Sequence, residues 1–362
     1  MDRWIEIDCG KIIENIKKIK NFTKRKFMAT VKSDFYGMGA KYVSKKIESV
    51  VDYFGVAIPS EGIELREIGI KKPILVLGPI LPSDVEELIM RDIEITLCSD
   101  DVFEQLKRVS KKRQKKAVVH IKIDTGMGRI GIQKEEAENF IKKVKEEKNI
   151  FTKGIYTHLA TAEWENKEYA KYQIGNFYSV LEKVNELKNI PLKHIANSAA
   201  IINLPETYKN FDMIRIGLLT LGIYPSKELA KKLKLQPALK GFCKVLFLKE
   251  LPEGRYLSYG ITYKTEKKTK VATLGIGYGD GLRRFLSNKF ELKWNNKKIK
   301  IIGNICMDQT LVDVGGKNVK IGDEIYIFGD NFEIENMAKI GNTVPQEILC
   351  GFGARRMQKV YK

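Results

Sequence analysis

AVVHIKIDTGMGRIGIQKEEAENFIKKVKEEKNIFTKGIYTH, residues 117–158, carries the pattern that decides the fold. It opens on an apolar, β-branched run at 117–123. A helical pattern follows at 135–148, where Phe140, Ile141 and Val144 recur at helical spacing. A second β-rich run closes the segment at 154–158. Strand, helix and strand make one β/α unit, and the same alternation extends outward from about residue 25 to 217. Strand runs fall at 26–32, 54–58, 73–77, 95–98, 117–123, 154–158, 193–196 and 213–216. Helical patterns lie between them, at 40–50, 83–90, 101–113, 135–148 and 166–188. Eight repeats predict a (β/α)8 TIM barrel rather than an open doubly wound sheet. The turn after the first run, Lys32-Ser33-Asp34-Phe35-Tyr36-Gly37, also lacks the glycine spacing of a dinucleotide site.

Beyond about residue 235 the texture changes to short strands, at 244–251, 270–276, 290–294, 298–302, 310–314 and 324–328, split by turns such as Asn295-Asn296 and Gly315-Gly316. This reads as a C-terminal all-β domain. The division is thus 1–235 for the barrel and 236–362 for the β domain. A strand at 4–8 precedes the barrel and could pair with either. Apolar residues make up 43% of the 362, and none of their runs approaches a membrane span. The opening MDRWIEIDCGK lacks the order of a signal peptide, so a cytoplasmic protein with no membrane partner is expected.

The net charge of +19 raises nucleic acid as a partner. The lysines, however, are scattered in pairs such as Lys17-Lys18 and Lys231-Lys232, as on solvated helix faces, and no nucleic-acid partner is expected. Five dispersed cysteines and three histidines offer neither a disulfide framework nor a metal site.

In a barrel, chemistry gathers where strands end. Lys32 stands at the end of the first run, Arg129 after the fifth, His158 at the end of the sixth, Asn197 and Ser198 after the seventh, and Arg215 within the eighth. Burying an ammonium is costly unless it is paired or neutralised. A Schiff base would neutralise Lys32, and a lysine snorkelling out of the barrel is the plainer alternative. Barrels often bind phosphate after strands seven and eight, where Ser198, Gly217 and Leu218 lie. Taken alone, Ser198 reads more often as a helix N-cap. His158 and His194 read equally as satisfied core histidines.

Seven segments in order resemble the alanine racemases: ATVKSDFYGMG (29–39), IDTGMGRIGI (123–132), HIANSAA (194–200), RIG (215–217), LSYG (257–260), GYGDGLRR (277–284) and NICMDQ (304–309). They span nearly the whole chain. The resemblance implies pyridoxal 5'-phosphate bound to Lys32, and interconversion of L- and D-alanine by two groups on opposite faces of the substrate, Lys32 and Tyr259. It also implies a homodimer with shared sites, in which Tyr259 and Met307 serve the partner's substrate and Asp308 steadies the interface loop. Arg215 would face the pyridine nitrogen. Because a guanidinium only donates, that nitrogen would stay unprotonated, and the ring would be a weaker electron sink. His158 would lie near the ring and His194 would buttress Arg215. Arg129 would bind the substrate carboxylate, opposite a Lys122 open to carbamylation. Tyr36, Ser198, Gly217 and Leu218 would hold the phosphate, and Tyr278 would line the entrance.

Three positions depart from the family pattern: Met38 for a histidine, Leu221 for a tyrosine, and Ala354 where a tyrosine usually borders phosphate and substrate. The last, within a tail resembling the serine racemase branch, opens serine or broader amino-acid racemisation as an alternative. A decarboxylase on the same fold would want an acidic partner for the ring where Arg215 stands. A cofactor-carrying barrel without catalysis would lack the β domain and Tyr259.

Overall fold

The computed structural model describes residues 2–184, 189–225, 230–330, 332–353 and 356–362. Each of the eight strand runs forms a strand, displaced by at most a few residues. β1 (Arg3–Ile7) comes first, outside the barrel. The barrel then follows as β2 (Lys26–Thr30), β3 (Tyr53–Val56), β4 (Ile74–Val76), β5 (Ile93–Leu97), β6 (Ala117–Asp124), β8 (Ile150–Tyr156), β9 (Leu192–His194) and β10 (Met213–Ile216), with a short β7 (Ile132–Gln133) pairing only β6. Neighbours run parallel in the order β10-β2-β3-β4-β5-β6-β8-β9. The ring closes between β9 and β10, where Asp212 N–H donates to the Lys193 carbonyl (2.9 Å) and Arg215 N–H to that of Ala196 (3.0 Å).

Parallel strands need crossovers, and amphipathic helices supply them. The helix Cys9–Thr23 buries Ile12, Ile16 and Ile19 and is capped by Asp8, which accepts from Lys11 N–H at 2.9 Å. The helix Asp100–Arg113 opens on Asp100 and Asp101 and closes on Lys111, Lys112 and Arg113, which matches its dipole. The predicted pattern at 166–188 is a helix over Glu168–Lys183, and its last four residues lie outside the described ones.

The rest of the chain builds an eight-stranded sheet, ordered β14-β17-β16-β15-β18-β11-β1-β19, and a small hairpin of β12 (Tyr256–Leu257) and β13 (Tyr263–Lys264). The sheet uses β11 (Leu239–Leu251), β14 (Thr269–Leu274), β15 (Glu291–Trp294), β16 (Lys297–Ile301), β17 (Thr310–Asp313), β18 (Glu324–Phe328) and β19 (Gln358–Tyr361). β1 belongs here: it pairs antiparallel with β11 and parallel with β19, so the chain's two extremes meet in one sheet. Two helices that the sequence reading did not name, Glu333–Ile340 and Pro345–Phe352, pack alongside. The second rests on the barrel's first turn so closely that a Cβ on Gly37 would stand 2.4 Å from the Gly353 Cα. Val344, Pro345, Gln346, Glu347 and Cys350 thereby form one wall of the barrel mouth. No helix among the described residues is long and apolar enough to cross a membrane.

Candidate active site

A cavity of about 950 Å3 opens at the C-terminal ends of the barrel strands and gathers most of the residues singled out in the sequence: Lys32, Tyr36, Lys122, Arg129, His158, Ser198, Arg215, Gly217 and Leu218. Lys32 does not close a strand. β2 ends at Thr30, and Lys32 opens a turn in which Ser33, Asp34, Phe35 and Tyr36 all have φ between +51° and +56°. Four consecutive left-handed residues without a glycine cost roughly 1–2 kcal/mol each. The surroundings impose the turn. Ser33 N–H donates to Glu61 (2.5 Å), and Asp34 accepts from Ala40 N–H (2.7 Å). Lys359 pairs with Asp34 (3.1 Å), while Phe35 and Tyr36 are buried. Burial and then Arg129 push the Lys32 ammonium below its ordinary pKa, toward the neutral amine that a bond to an aldehyde requires.

Arg215 points inward from β10 and is 5% exposed. Its guanidinium donates to His194 Nδ1 (2.9 Å), His158 Nδ1 (3.1 Å), the Thr157 carbonyl (2.8 Å) and the Ile195 carbonyl (3.2 Å). Burial draws it down to about 10, still a cation at neutral pH. Arginine has no acceptor, so each imidazole must present a bare Nδ1. Burial, followed by Arg215, holds both histidines well below the usual range, and they stay neutral. His158 lies two residues past the end of β8 and keeps part of its surface open to the cavity. Tyr156 lies flat on His194, with ring centroids 4.7 Å apart, and the Arg215 guanidinium and the Lys122 ammonium lie over its ring at 5.1 and 5.5 Å.

On the side of β10, Gly217 packs directly on Tyr36; a Cβ there would fall 2.0 Å from the phenol oxygen. Ser198 is not a helix cap. Asn197 caps the following turn by accepting from Ala200 N–H (2.9 Å), which leaves the Ser198 hydroxyl to accept from Gly217 N–H at 3.4 Å beside the cavity. After β6, Asp124 accepts from the N–H groups of Gly126, Met127 and Gly128 and so shapes the loop that carries Arg129. Burial, then Arg129 and Arg215, push Lys122 down to about 8.

This lining answers whether the expected cofactor fits. Lys32, Lys122, Arg129 and Arg215 face only Glu163 and Glu347 among the described cavity residues. A cavity so biased, with a hydroxyl, a phenol and a glycine where a phosphate would sit, suits a ligand with a phosphate, a phenolate and an aldehyde. Ala354 lies outside the described residues.

Tyr259 and Met307 are elsewhere. They are 73% and 53% exposed, and neither lines this cavity. Asn304 donates to the Tyr259 carbonyl (2.7 Å), and Asp308 pairs with Arg356 (2.6 Å), which also reaches the buried Asp280 (3.2 Å). The Asn304 bond ties down the Tyr259 backbone, and the Arg356 pairs tie down the Asp308 loop, both on the β-rich half. Tyr278, 40% exposed, also lies off the cavity. Sequence reasoning passed over Tyr156, Gln346 and Cys350. Tyr156 sits two residues before His158 at a strand end, which was the available signal; the other two lie on a helix the reading did not name.

Two family profiles match the chain, described as "Alanine racemase, N-terminal domain" over residues 7–225 and "Alanine racemase, C-terminal domain" over 238–361. The chain is 39% identical to alanine racemase 1 of Caldanaerobacter subterraneus subsp. tengcongensis, with 99% of this chain and 94% of that protein covered. In structure it is similar to alanine racemase from Clostridium difficile 630, with a TM-score of 0.92 and 36% identity over 100% of this chain and 96% of the other. It is also similar to the alanine racemase of D-cycloserine-producing Streptomyces lavendulae, with a TM-score of 0.94 and 30% identity over 100% and 97%.

Proposed function

The chain belongs to the alanine racemase family and is an isomerase of that class, and on this footing we propose that it interconverts L- and D-alanine with pyridoxal 5'-phosphate, working in the cytoplasm as a homodimer with shared sites. The observation that carries this reading is the pairing in one cavity of Lys32, whose ammonium burial and Arg129 disfavour, with a buried Arg215 that contacts no carboxylate among the described residues. Residues 1–235 are read as the cofactor-binding unit and 236–362 as its β-rich companion.

Lys32 would hold the cofactor, with Tyr36, Ser198, Gly217 and Leu218 around its phosphate and Arg215 at its ring nitrogen. Bound there, the cofactor supplies an aldehyde that bonds the substrate amine and a ring that acidifies the hydrogen on the adjacent carbon. Arg215 keeps that acidification moderate, because a group that only donates leaves the ring nitrogen unprotonated. Arg129 binds the substrate carboxylate and fixes which face meets Lys32. The Lys32 amine takes or returns a proton on that face at Nζ. Tyr259 of a partner protomer does the same on the other face at Oη, with the Met307 backbone N–H near the carboxylate. An exposed Tyr259, braced and remote from its own cavity, suits this exchange.

The test is circular dichroism on the purified enzyme across a panel of amino acids. L-alanine and D-alanine should each run to the racemate, and Lys32→Ala should abolish both. Turnover of another amino acid with alanine untouched would sink the reading.

A further inference from the structure

The hydrogen bonds of Arg215 do not stop at His194. His194 Nε2 lies 2.9 Å from His120 Nδ1, and His120 Nε2 lies 2.8 Å from Glu94 Oε2. The other carboxylate oxygen accepts from Lys153 Nζ at 2.7 Å. His120 and His194 have no exposed surface, and Glu94 is 5% exposed. The chain thus runs from the cavity down the barrel interior, from the strand-end side of β9 and β10 through the middle of β6 to the first residues of β5. β8 lies between β6 and β9, and the two imidazoles meet across it at Gly154, where a Cβ would stand 2.1 Å from His120 Nδ1.

The proton positions follow from the ends. Arg215 can only donate, so His194 Nδ1 is bare and its hydrogen is on Nε2. That hydrogen faces His120, whose Nδ1 must accept and whose hydrogen is also on Nε2. It ends on Glu94, an acceptor. Burial alone would raise Glu94, but the bond from His120 and then Lys153 overcome it and hold the carboxyl below its usual range. Every group in the row has one compatible state, and all point the same way.

We propose that Glu94 is a positioning residue for the racemisation: through His120 and His194 it fixes the hydrogen-bonding direction that aims and restrains Arg215. This rests on Arg215 being the partner of the cofactor ring. Glu94→Gln probes it without changing shape. Lys153 has only donors, so it claims the amide oxygen, and the NH2 then faces His120 Nε2. His120 must accept there and shift its hydrogen to Nδ1. His194 is driven the same way, and its Nδ1–H then confronts the Arg215 N–H groups.

The measurement is long-range 1H–15N correlation on histidine-labelled holoenzyme, which has only three histidines to assign. Wild type should show His120 and His194 both protonated on Nε2 alone. Glu94→Gln should move both hydrogens to Nδ1 and lower kcat for alanine by roughly tenfold or more. Adding Lys153→Met frees the amide oxygen to face His120, and both the spectrum and kcat should return toward wild type. A wild-type spectrum with Nδ1–H on either imidazole overturns the proposal without needing any variant. So does an unchanged pattern in Glu94→Gln, and in both cases the cofactor assignment stands. Reversed hydrogens with unchanged kcat and unchanged cofactor absorption would overturn it too, by showing that the direction of the row does not reach the ring.

Discussion

Gly217→Ala isolates the phosphate end of the cavity. The backbone at Gly217 has φ −120°, outside the left-handed region that favours glycine, and the added methyl group acts on what it meets. Its Cβ would fall 2.0 Å from Tyr36 Oη and 2.9 Å from Cζ. Restoring ordinary contact at 3.4 Å requires the phenol to retreat 1.4 Å, the difference of the two distances. Tyr36 is 6% exposed on the constrained Lys32 turn, so that retreat also disturbs its neighbours. Overpacking of this kind costs about 1–3 kcal/mol in stability. A displacement of that size would also remove the hydrogen bond proposed between the phenol and the phosphate, worth about 1.5–3 kcal/mol for a charged acceptor, or roughly ten- to hundredfold in affinity. The assay is titration of apoenzyme with pyridoxal phosphate, followed by absorbance. Gly175→Ala, on an exposed helix face with nothing within 4 Å, is the control and should be neutral or slightly stabilising. A Gly217→Ala affinity within twofold of wild type would refute the placement of phosphate beside Gly217 and Tyr36.

Mixing inactive Lys32→Ala with inactive Tyr259→Phe should restore about a quarter of wild-type activity, since half the dimers are mixed and each holds one intact site; no recovery after proven exchange would put both groups in one chain. Arg215→Glu should let the ring nitrogen take a proton and raise transamination relative to racemisation, measured as pyruvate formed per turnover. The cofactor-free protein should lose stability as pH falls below about 6.5. His158 and His194 are held neutral in the fold and take up protons on unfolding, so their contribution is full above 6.5 and lost below it; a flat melting profile from pH 7 to 5 would contradict their burial. At pH 8 about half of Lys122 is neutral and open to CO2, so 13C-bicarbonate should yield a carbamate signal that Lys122→Asn lacks. Ala354→Tyr should lower kcat/KM for serine more than for alanine; an unmoved ratio removes the serine alternative's support.

The barrel was legible because period and punctuation repeat locally: β-rich runs recur from 26 to 216, and amphipathic patterns at 40–50, 83–90, 101–113, 135–148 and 166–188 separate most of them. The cavity residues were legible for a related reason, since strand ends converge in a closed barrel whatever lies between them. What escaped is non-local. Nothing in Ser33-Asp34-Phe35-Tyr36 favours positive φ, and the turn exists because Glu61, Lys359 and the Pro345–Phe352 helix press on it. Glu94 and His120 are 26 residues apart and carry no spacing signal. Only the register of β5 against β6 puts them in contact. The alternative reading of Ser198 as an N-cap failed on competition: Asn197, one residue earlier, is the better-placed cap.

The Lys32 turn is braced by Gly353, by Lys359 on Asp34, and by Tyr361, whose hydroxyl donates to the Met38 carbonyl at 3.3 Å. Residues about three hundred positions downstream therefore complete a seat begun near the start. A ribosome emits Lys32 early, and the bonds from Ser33 to Glu61 and from Ala40 to Asp34 can form within the barrel, yet the braces from Gly353, Lys359 and Tyr361 come only at the far end of the sequence. Loss of residues 356–361 would therefore remove braces from the Lys32 turn while leaving every strand of the barrel in the sequence, so the seat and the barrel that surrounds it depend on different parts of the chain.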